Sequence, residues 1–485
     1  MTEMTFFWHD YETFGRTPRR DRPAQFAGVR TDAALNEIES PVMHYCQPAP
    51  DYLPEPEACL LTGILPQTCL ARGLPEHAFA AAIEAQLARP GTVGVGYNSI
   101  RFDDEVTRHL FWRNLIDPYA REYKDDCNRW DLLDVVRTAW ALRPDGIEWP
   151  LHADGRASFR LEDLAAANGL VHGQAHDALS DVRATIALAR LVRAAQPRLW
   201  DCCLRLRCKH EVTAEMARAE QQGQPFLHIS GMYGIERGCT ALVWPLAPHP
   251  VNRNEVIVWD LAFDPSELFT LGAEEIRRRL FTRADELPEG TTRLAIKTIH
   301  LNKSPIVIGN LKTLSEQAAV RWGFNLAQAQ HHAELAATNA PGLAGLWSEV
   351  MARPPREGPT DVDEDLYGGL LGDEDRRTLQ RLRAKDGDAL AASRPAFNDP
   401  RLNELFFRYR ARNFPQTLDG AQAAQWSEHC AHRLHEGAGG SQTLAAFFEH
   451  IDILGEAAEV ANDTRAQDIL GALVDYATDI APEAG

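Results

Sequence analysis

The sequence predicts three successive domains: an α/β domain with a mixed sheet, a small β-rich domain and an all-helical domain. Three observations carry this. Up to about residue 200, short apolar runs alternate with stretches of helical period. From about 202 to 350 strand-like runs predominate, with a helical tail after 313. Beyond a Pro- and Gly-rich, strongly acidic stretch at 351–375, the chain is mostly Ala, Glu, Leu and Arg at helical spacing. The expected boundaries are 1–200, 201–352 and 353–485.

The elements follow in order. FFWHDYETFG (6–15) opens the first strand, and QFAGVRTD (25–32) and the segment through VMHYCQP (42–48) give the second and third around a polar turn. AFAAAIEAQLA (78–88) is an amphipathic helix stopped by Pro90 and Gly91. TVGVGYN (92–98) reads as a buried strand whose small residues let a neighbour approach. RFDDEVTRHLFWRNL (101–115), RWDLLDVVRTAWAL (129–142), RLEDLAAAN (160–168) and DALSDVRATIALARLV (177–192) read as helices. FLHISGM, EVIVWDLA and RLAIKTIHLNKSPIVIGN supply strands to the second domain. The acidic stretch at 351–375 suits a linker and solvated loop, and no internal repeat is present.

With 485 residues there is enough chain for two to four domains, and 45% hydrophobic with 25% charged residues is ordinary for a soluble globular protein. No apolar run approaches the roughly 18 residues of a membrane span, and the N-terminus lacks the pattern of a signal peptide. The nine cysteines are odd in number and form no CxxC pair. That argues against zinc ribbons and disulfide exchange and for reduced thiols in a cytoplasmic protein. A formal net charge of −19 argues against a protein that coats nucleic acid by bulk electrostatics, though not against one with a local basic groove.

Asp10 and Glu12 lie two residues apart at the end of an apolar run. In a strand such positions share one face, so both carboxylates aim at one spot while Phe6, Phe7 and Trp8 bury the strand behind them. Like charges held that close call for a divalent cation between them; the other reading is an exposed strand end where two acids happen to fall. Asp103 follows the strand at 92–98, and His176 and Asp181 flank the start of the helix at 177–192. Four carboxylates gathered this way could hold two hard cations, and a neutral histidine could take a proton from an attacking water. Residues five apart diverge on a helix, so His176 belongs in the loop or first turn, with Asp177 or Ser180 as the cap. Taken singly, Asp103 and Asp104 could cap a helix, His176 could be a surface histidine and Asp181 a solvated helix position. The combination is more specific than any member.

HDYETFG, GYNSIRFDDEVTRHLF, SFRLEDL and AHDALSDVRATIALA, in this order, resemble the 3′-to-5′ exonucleases that carry four acids and a histidine on a ribonuclease-H-like fold. IDPYA (116–120), NRWDLLDVVRTAWALRPDGI, SGMYG (230–234), HPVNRN (249–254) and LFFRYRARNFPQTL (405–418) narrow the resemblance to the bacterial exonuclease I family, over nearly the whole chain. The resemblance implies a ribonuclease-H-like domain, an SH3-like β-rich domain and a helical C-terminal domain closing over the strand. It implies processive hydrolysis of single-stranded DNA from a 3′ end to 5′-mononucleotides, in DNA repair and recombination. Asp10, Glu12 and Asp181 would bind two Mg²⁺ ions, with Mn²⁺ as a substitute, and Asp103 would complete the set. Glu12 would also touch the terminal 3′-hydroxyl, and His176 would be the general base. Arg160 matches a substrate-contacting position, whose other reading is a solvent-facing residue at a helix start. Single-strand binders pair basic tracks with stacking aromatic faces; here Arg108, Tyr119, Tyr123 and Arg137 are the expected contacts, with Asn254 and the segment from Lys297 to Lys303, Lys303 included, behind them. The expected partner is the C-terminal tail of single-stranded-DNA-binding protein, and the expected state a monomer. Two rivals are an RNA exonuclease of the same chemistry, whose relatives are shorter chains, and a catalytically dead DNA-binding scaffold, against which the intact acid and histidine set argues.

Overall fold

The computed structural model describes residues 3–170, 177–352 and 360–482. They divide into two compact units: the described residues among 1–128, 172–183 and 358–485, and those among 129–171 and 184–357.

In the first unit the strands β1 (Thr5–Thr13), β2 (Pro23–Thr31) and β3 (Val42–Tyr45) form an antiparallel meander. Helices α1 (Pro56–Thr62), α2 (Pro66–Arg72) and α3 (Glu76–Leu87) follow, then β4 (Thr92–Gly96) and α4 (Asp103–Arg113). β4 pairs with β1 in parallel, so within this unit the strand order is β3-β2-β1-β4 and the sheet is mixed, as the sequence predicts. Phe6, Phe7 and Trp8 are each at most 1% exposed. Gly28 on β2 lies under the Phe7 ring, where a Cβ would come within 2.2 Å of it. The helices α1 and α2 escape the sequence reading because each is only seven residues long. Both start on a proline, which suits the first helical turn where no N–H partner exists.

The C-terminal helices belong to this same unit. Leu444–Ala461 and Thr464–Ile480 form a hairpin, turned by Asn462 in the left-handed region at φ 53°. Phe447, Ile451, Leu470 and Leu473 share a core with Tyr52, Cys59 and Cys69. Leu379, Leu382, Leu402 and Leu405 share another with Trp112 and Leu115. The acidic stretch read as a solvated loop is, over 361–367, docked and ion-paired: Asp363 and Leu366 are each 2% exposed.

In the second unit, Asp131 ends the short strand β5 (Asn128–Asp131) and caps α5 (Leu132–Leu142), accepting from the Leu133 N–H. The sequence predicts this helix from 129; its first residues are strand instead. A separate sheet comprises β6 (Phe226–Ile229), β7 (Thr240–Pro248), β8 (Glu255–Asp260), β9 (Ile296–His300) and β10 (Ile306–Ile308) in the order β10-β6-β7-β8-β9, all antiparallel. The sequence does not mark β7, since Pro245 and Pro248 interrupt its apolar run; the ladder absorbs Pro245 at a register shift between it and Ala247. Among the described residues no helix is long and apolar enough to cross a membrane.

Burial of charge dominates the first unit away from its sheet. Arg412 reaches Asp51 at 2.8 Å and Asp363 at 3.0 Å, Arg22 reaches Asp363 at 3.2 Å, and Arg408 and Arg433 reach Asp361 at 2.8 and 3.3 Å. Burial by itself would push the Asp51 and Asp363 carboxyls up, but the guanidiniums led by Arg412 outweigh it and hold both well below the usual range. Asp363→Ala should therefore lower stability by about 3–5 kcal/mol, because Arg22 and Arg412 lose their shared counter-charge in a buried setting. The pairing energy is fully present above the unfolded carboxyl value of about 4 and declines as pH falls toward the depressed folded values. Denaturant unfolding of the full chain across pH checks this; an unchanged midpoint in Asp363→Ala would contradict it.

Candidate metal centre

Pleating of β1 puts Phe7, His9 and Tyr11 on one face and Trp8, Asp10 and Glu12 on the other. Phe7 and Tyr11 pack with Phe26, Phe79 and Leu110, which fixes the strand's roll. His9 stacks on Phe26 within that packed face, and burial followed by the Arg121 charge lowers it to about 4. It is a neutral core histidine, turned away from the acids.

The helix Ala178–Ala195 brings Asp181 to the same place. Its first N–H, from Ala178, donates to the Gln25 side chain at 3.3 Å, and Gln25 is the ladder partner of Glu12. Asp177 caps this helix by accepting from the Ser180 N–H at 3.1 Å, one of the two caps the sequence allows. One carboxylate oxygen from each of Asp10, Glu12 and Asp181 lies within 4.8 Å of the other two. Asp103 comes from the first turn of α4 and stands slightly apart, its carboxylate accepting from the Tyr11 N–H at 3.1 Å. The Thr107 hydroxyl donates to the Asp103 carbonyl at 2.8 Å. Asp104, read as a helix cap, is instead buried against Arg121 at 2.6 Å and pins the first turn of α4.

Electrostatics distinguishes this cluster from a chance meeting of acids. Burial, then Asp103, Glu12, Asp181 and Asp177 push the Asp10 carboxyl well above its usual range. Burial, then Asp181 and Asp177 push Glu12 up to about 8. Asp177 thus contributes charge as well as a cap, a part the sequence reading missed although its i, i+4 spacing to Asp181 was visible. These groups cannot all ionise together without a counter-charge. Oxygen-only donors with that deficit fit hard divalent cations. His176 lies outside the described residues.

The expected strand contacts fall into varied surroundings. Arg108 is 5% exposed, its guanidinium bonded to Glu122 at 2.7 and 2.8 Å and to Glu105 at 2.8 Å, so its donors are engaged within the protein. Tyr119 is half-buried under that guanidinium, 5.2 Å from the ring centre, while Tyr123 is 64% exposed. In the second unit, Arg137 pairs with Asp134 at 2.7 Å and lies over Gly231, where a Cβ would approach it to 2.8 Å. Arg160 is exposed at the start of the helix Leu161–Ala167, 3.8 Å from Glu162. The Asn254 side chain accepts from Lys209 at 2.6 Å, and Lys303 is half-buried in the turn after β9.

Three family descriptions match this chain: "Exonuclease" over residues 7–189, "Exonuclease I SH3-like domain" over 207–353 and "Exonuclease I C-terminal domain" over 360–480. Exodeoxyribonuclease I of Escherichia coli is 46% identical over 428 residues, covering 88% of this chain and 89% of that protein. The structure of exonuclease I from Methylocaldum szegediense superposes with a TM-score of 0.92 at 47% identity, covering 98% of this chain and 99% of its own. Escherichia coli exonuclease I in complex with a dA16 oligonucleotide superposes with a TM-score of 0.93 at 42% identity, covering 99% and 100%. A zinc-ion-bound form of its complex with single-stranded DNA superposes at 0.91. A structure of SSB/exonuclease I with an inhibitor superposes at 0.89; both have 42% identity and cover 99% of this chain and 100% of theirs.

The acid cluster destabilises the metal-free fold in a pH-dependent way. Glu12 binds its proton up to about 8 in the folded chain but only to about 4.3 when unfolded, so the folded state holds more protons in between. Wild-type stability therefore falls as pH rises through that window. Glu12→Gln has no such proton to lose. Without metal it should melt higher than wild type at pH 8, with the gap closing toward pH 5, by calorimetric or fluorescence melting in EDTA. Parallel melting profiles would contradict the assignment.

Proposed function

The chain belongs to the exodeoxyribonuclease I family and is an exonuclease, and from that premise we propose that it hydrolyses single-stranded DNA processively from a free 3′ end to 5′-mononucleotides. The observation that carries the reading is the convergence of Asp10, Glu12 and Asp181 within 4.8 Å, with Asp103 adjacent to Asp10 in charge. We assign the centre to two Mg²⁺ ions, for which Mn²⁺ would substitute. The all-carboxylate donor set favours hard cations, and the zinc-ion-bound complex of the Escherichia coli relative supports a divalent ion. When bound, such a pair supplies positive charge to both the attacking and the leaving oxygen of a phosphodiester.

The chain's own residues do the rest. Asp10, Glu12 and Asp181 would hold the cations with Asp103 completing the acid set, and Asp103 also keeps α4 tied to the β1 backbone through Tyr11. Glu12, near the strand's end, accepts a hydrogen bond from a terminal 3′-hydroxyl in this proposal. His176 takes the proton from the attacking water in this proposal. Arg160 and Tyr123 are the most accessible of the proposed strand contacts, while Arg108, Tyr119, Arg137, Asn254 and Lys303 complete the set. The oligonucleotide complexes and the SSB/exonuclease I structure of the Escherichia coli relative support single-stranded DNA and the tail of single-stranded-DNA-binding protein as partners. A monomer acting in the cytoplasm in DNA repair and recombination fits this, with modules divided at 1–200, 201–352 and 353–485.

Single-turnover cleavage of 5′-labelled single-stranded DNA tests the proposal. Products should shorten from the 3′ end, EDTA should stop the reaction and a 3′-phosphate should block it. Asp181→Ala should fold and be inactive. His176→Ala should fold and cleave about 10²- to 10⁴-fold more slowly, the usual worth of a general base. Digestion from the 5′ end, or wild-type cleavage by Asp181→Ala, would overturn the reading.

A further inference from the structure

The first unit holds an interaction that neither the sheet nor the acid cluster requires. The segment 361–367, DVDEDLY, lies against two separate elements. One is the β1–β2 loop, where Glu364 pairs with Arg19 at 3.0 Å and Arg20 at 3.3 Å, and Asp363 with Arg22 at 3.2 Å. That loop is rigidly continuous with β1, because the Phe14 N–H donates to the Arg22 carbonyl at 2.9 Å, two residues beyond Glu12. The other element is α4. Trp112 Nε1 donates to the Val362 carbonyl at 2.7 Å, and the Tyr367 hydroxyl donates to the Glu105 carboxylate while accepting from Arg108 at 3.0 Å. The Tyr367 ring also meets His109 edge-on, 5.9 Å between centres.

β1 carries Asp10 and Glu12, and α4 carries Asp103. Like charge between Asp10 and Asp103 works to separate these two elements. Within the site, the Tyr11 N–H bond to Asp103 opposes that separation. The segment 361–367 opposes it from outside, gripping the hairpin by its arginines and α4 along successive turns at Glu105, Arg108 and Trp112.

We infer that the segment 361–367 is a strap that sets the spacing of β1 and α4, and that Tyr367 and Glu364 are positioning residues for the metal-binding carboxylates. The inference rests on the metal-dependent reading above. Neither side chain touches the acids. Both act through the elements they hold, so the C-terminal part of the chain tunes the affinity of the N-terminal centre for its cations.

The test uses the full chain carrying Tyr367→Phe and Glu364→Gln together, with Tyr367→Phe alone as the milder variant. Three quantities are read: amide hydrogen exchange of Asp103–Arg113 without metal, Mg²⁺ affinity by calorimetry without DNA, and single-turnover cleavage against Mg²⁺ concentration. Losing such bonds should speed exchange in α4 and weaken Mg²⁺ binding about three- to tenfold. The cleavage rate at saturating Mg²⁺ should stay within about twofold of wild type. If wild type binds no Mg²⁺ and cuts no DNA, the functional reading itself fails. If wild type does both and the folded double variant matches it in α4 exchange and Mg²⁺ affinity, the strap is merely structural and the inference is overturned.

Discussion

Like charges that must stand together without neutralising one another are the constraint on which the first unit depends. Asp10, Glu12 and Asp181 share one small volume, with Asp103 beside Asp10, and burial adds to their mutual repulsion. A flexible scaffold would relieve this by letting the carboxylates turn away. Here each is fixed from behind: β1 by its packed aromatic face, the helix carrying Asp181 by Gln25, and α4 by Arg121 against Asp104. The cost to the metal-free fold is the source of cation affinity, since a divalent ion removes the repulsion that the scaffold otherwise endures.

The same chain resolves a second set of buried charges in the opposite manner. Asp51, Asp361 and Asp363 are paired with Arg22, Arg408, Arg412 and Arg433, and the charged forms of Asp51 and Asp363 are stabilised rather than frustrated. Arg22 and Asp51 come from the N-terminal part and the other five from beyond residue 360. Together with the shared apolar cores, this binds the C-terminal helices to the sheet as one body. One class of buried acid is satisfied by protein and holds the fold. The other is left for an external cation and supports function.

What was legible in the sequence follows from the range of the interactions involved. The Asp10 and Glu12 pair could be read because a strand's two-residue period is local, and the placement of Asp103 at a helix start rests on neighbours only. The convergence of Asp181 with them was legible through the family resemblance, since nothing local shows that the helix at 178 docks beside Glu12. Local signals also misled. Asp104 had the pattern of a helix cap but was taken by Arg121, seventeen residues on. Arg108 stays among the proposed strand contacts, but its bond to Glu122 is not marked by any local pattern. The stretch DVDEDLY looked solvated because its neutralising arginines lie elsewhere in the chain, at 19, 20, 22, 408, 412 and 433. Composition reports charge but not its partner, and long-range pairing is where composition ceases to decide.

The central claim is that the unsatisfied carboxylates form a cation site, and anomalous diffraction tests it most directly. Crystals of the full chain soaked in Mn²⁺ should show anomalous density within coordination distance of Asp10, Glu12 and Asp181. Crystals of Asp10→Asn should lose it while the surrounding side chains keep their places. Mn²⁺ bound only at other acidic residues, or an undiminished peak in Asp10→Asn, would contradict the account.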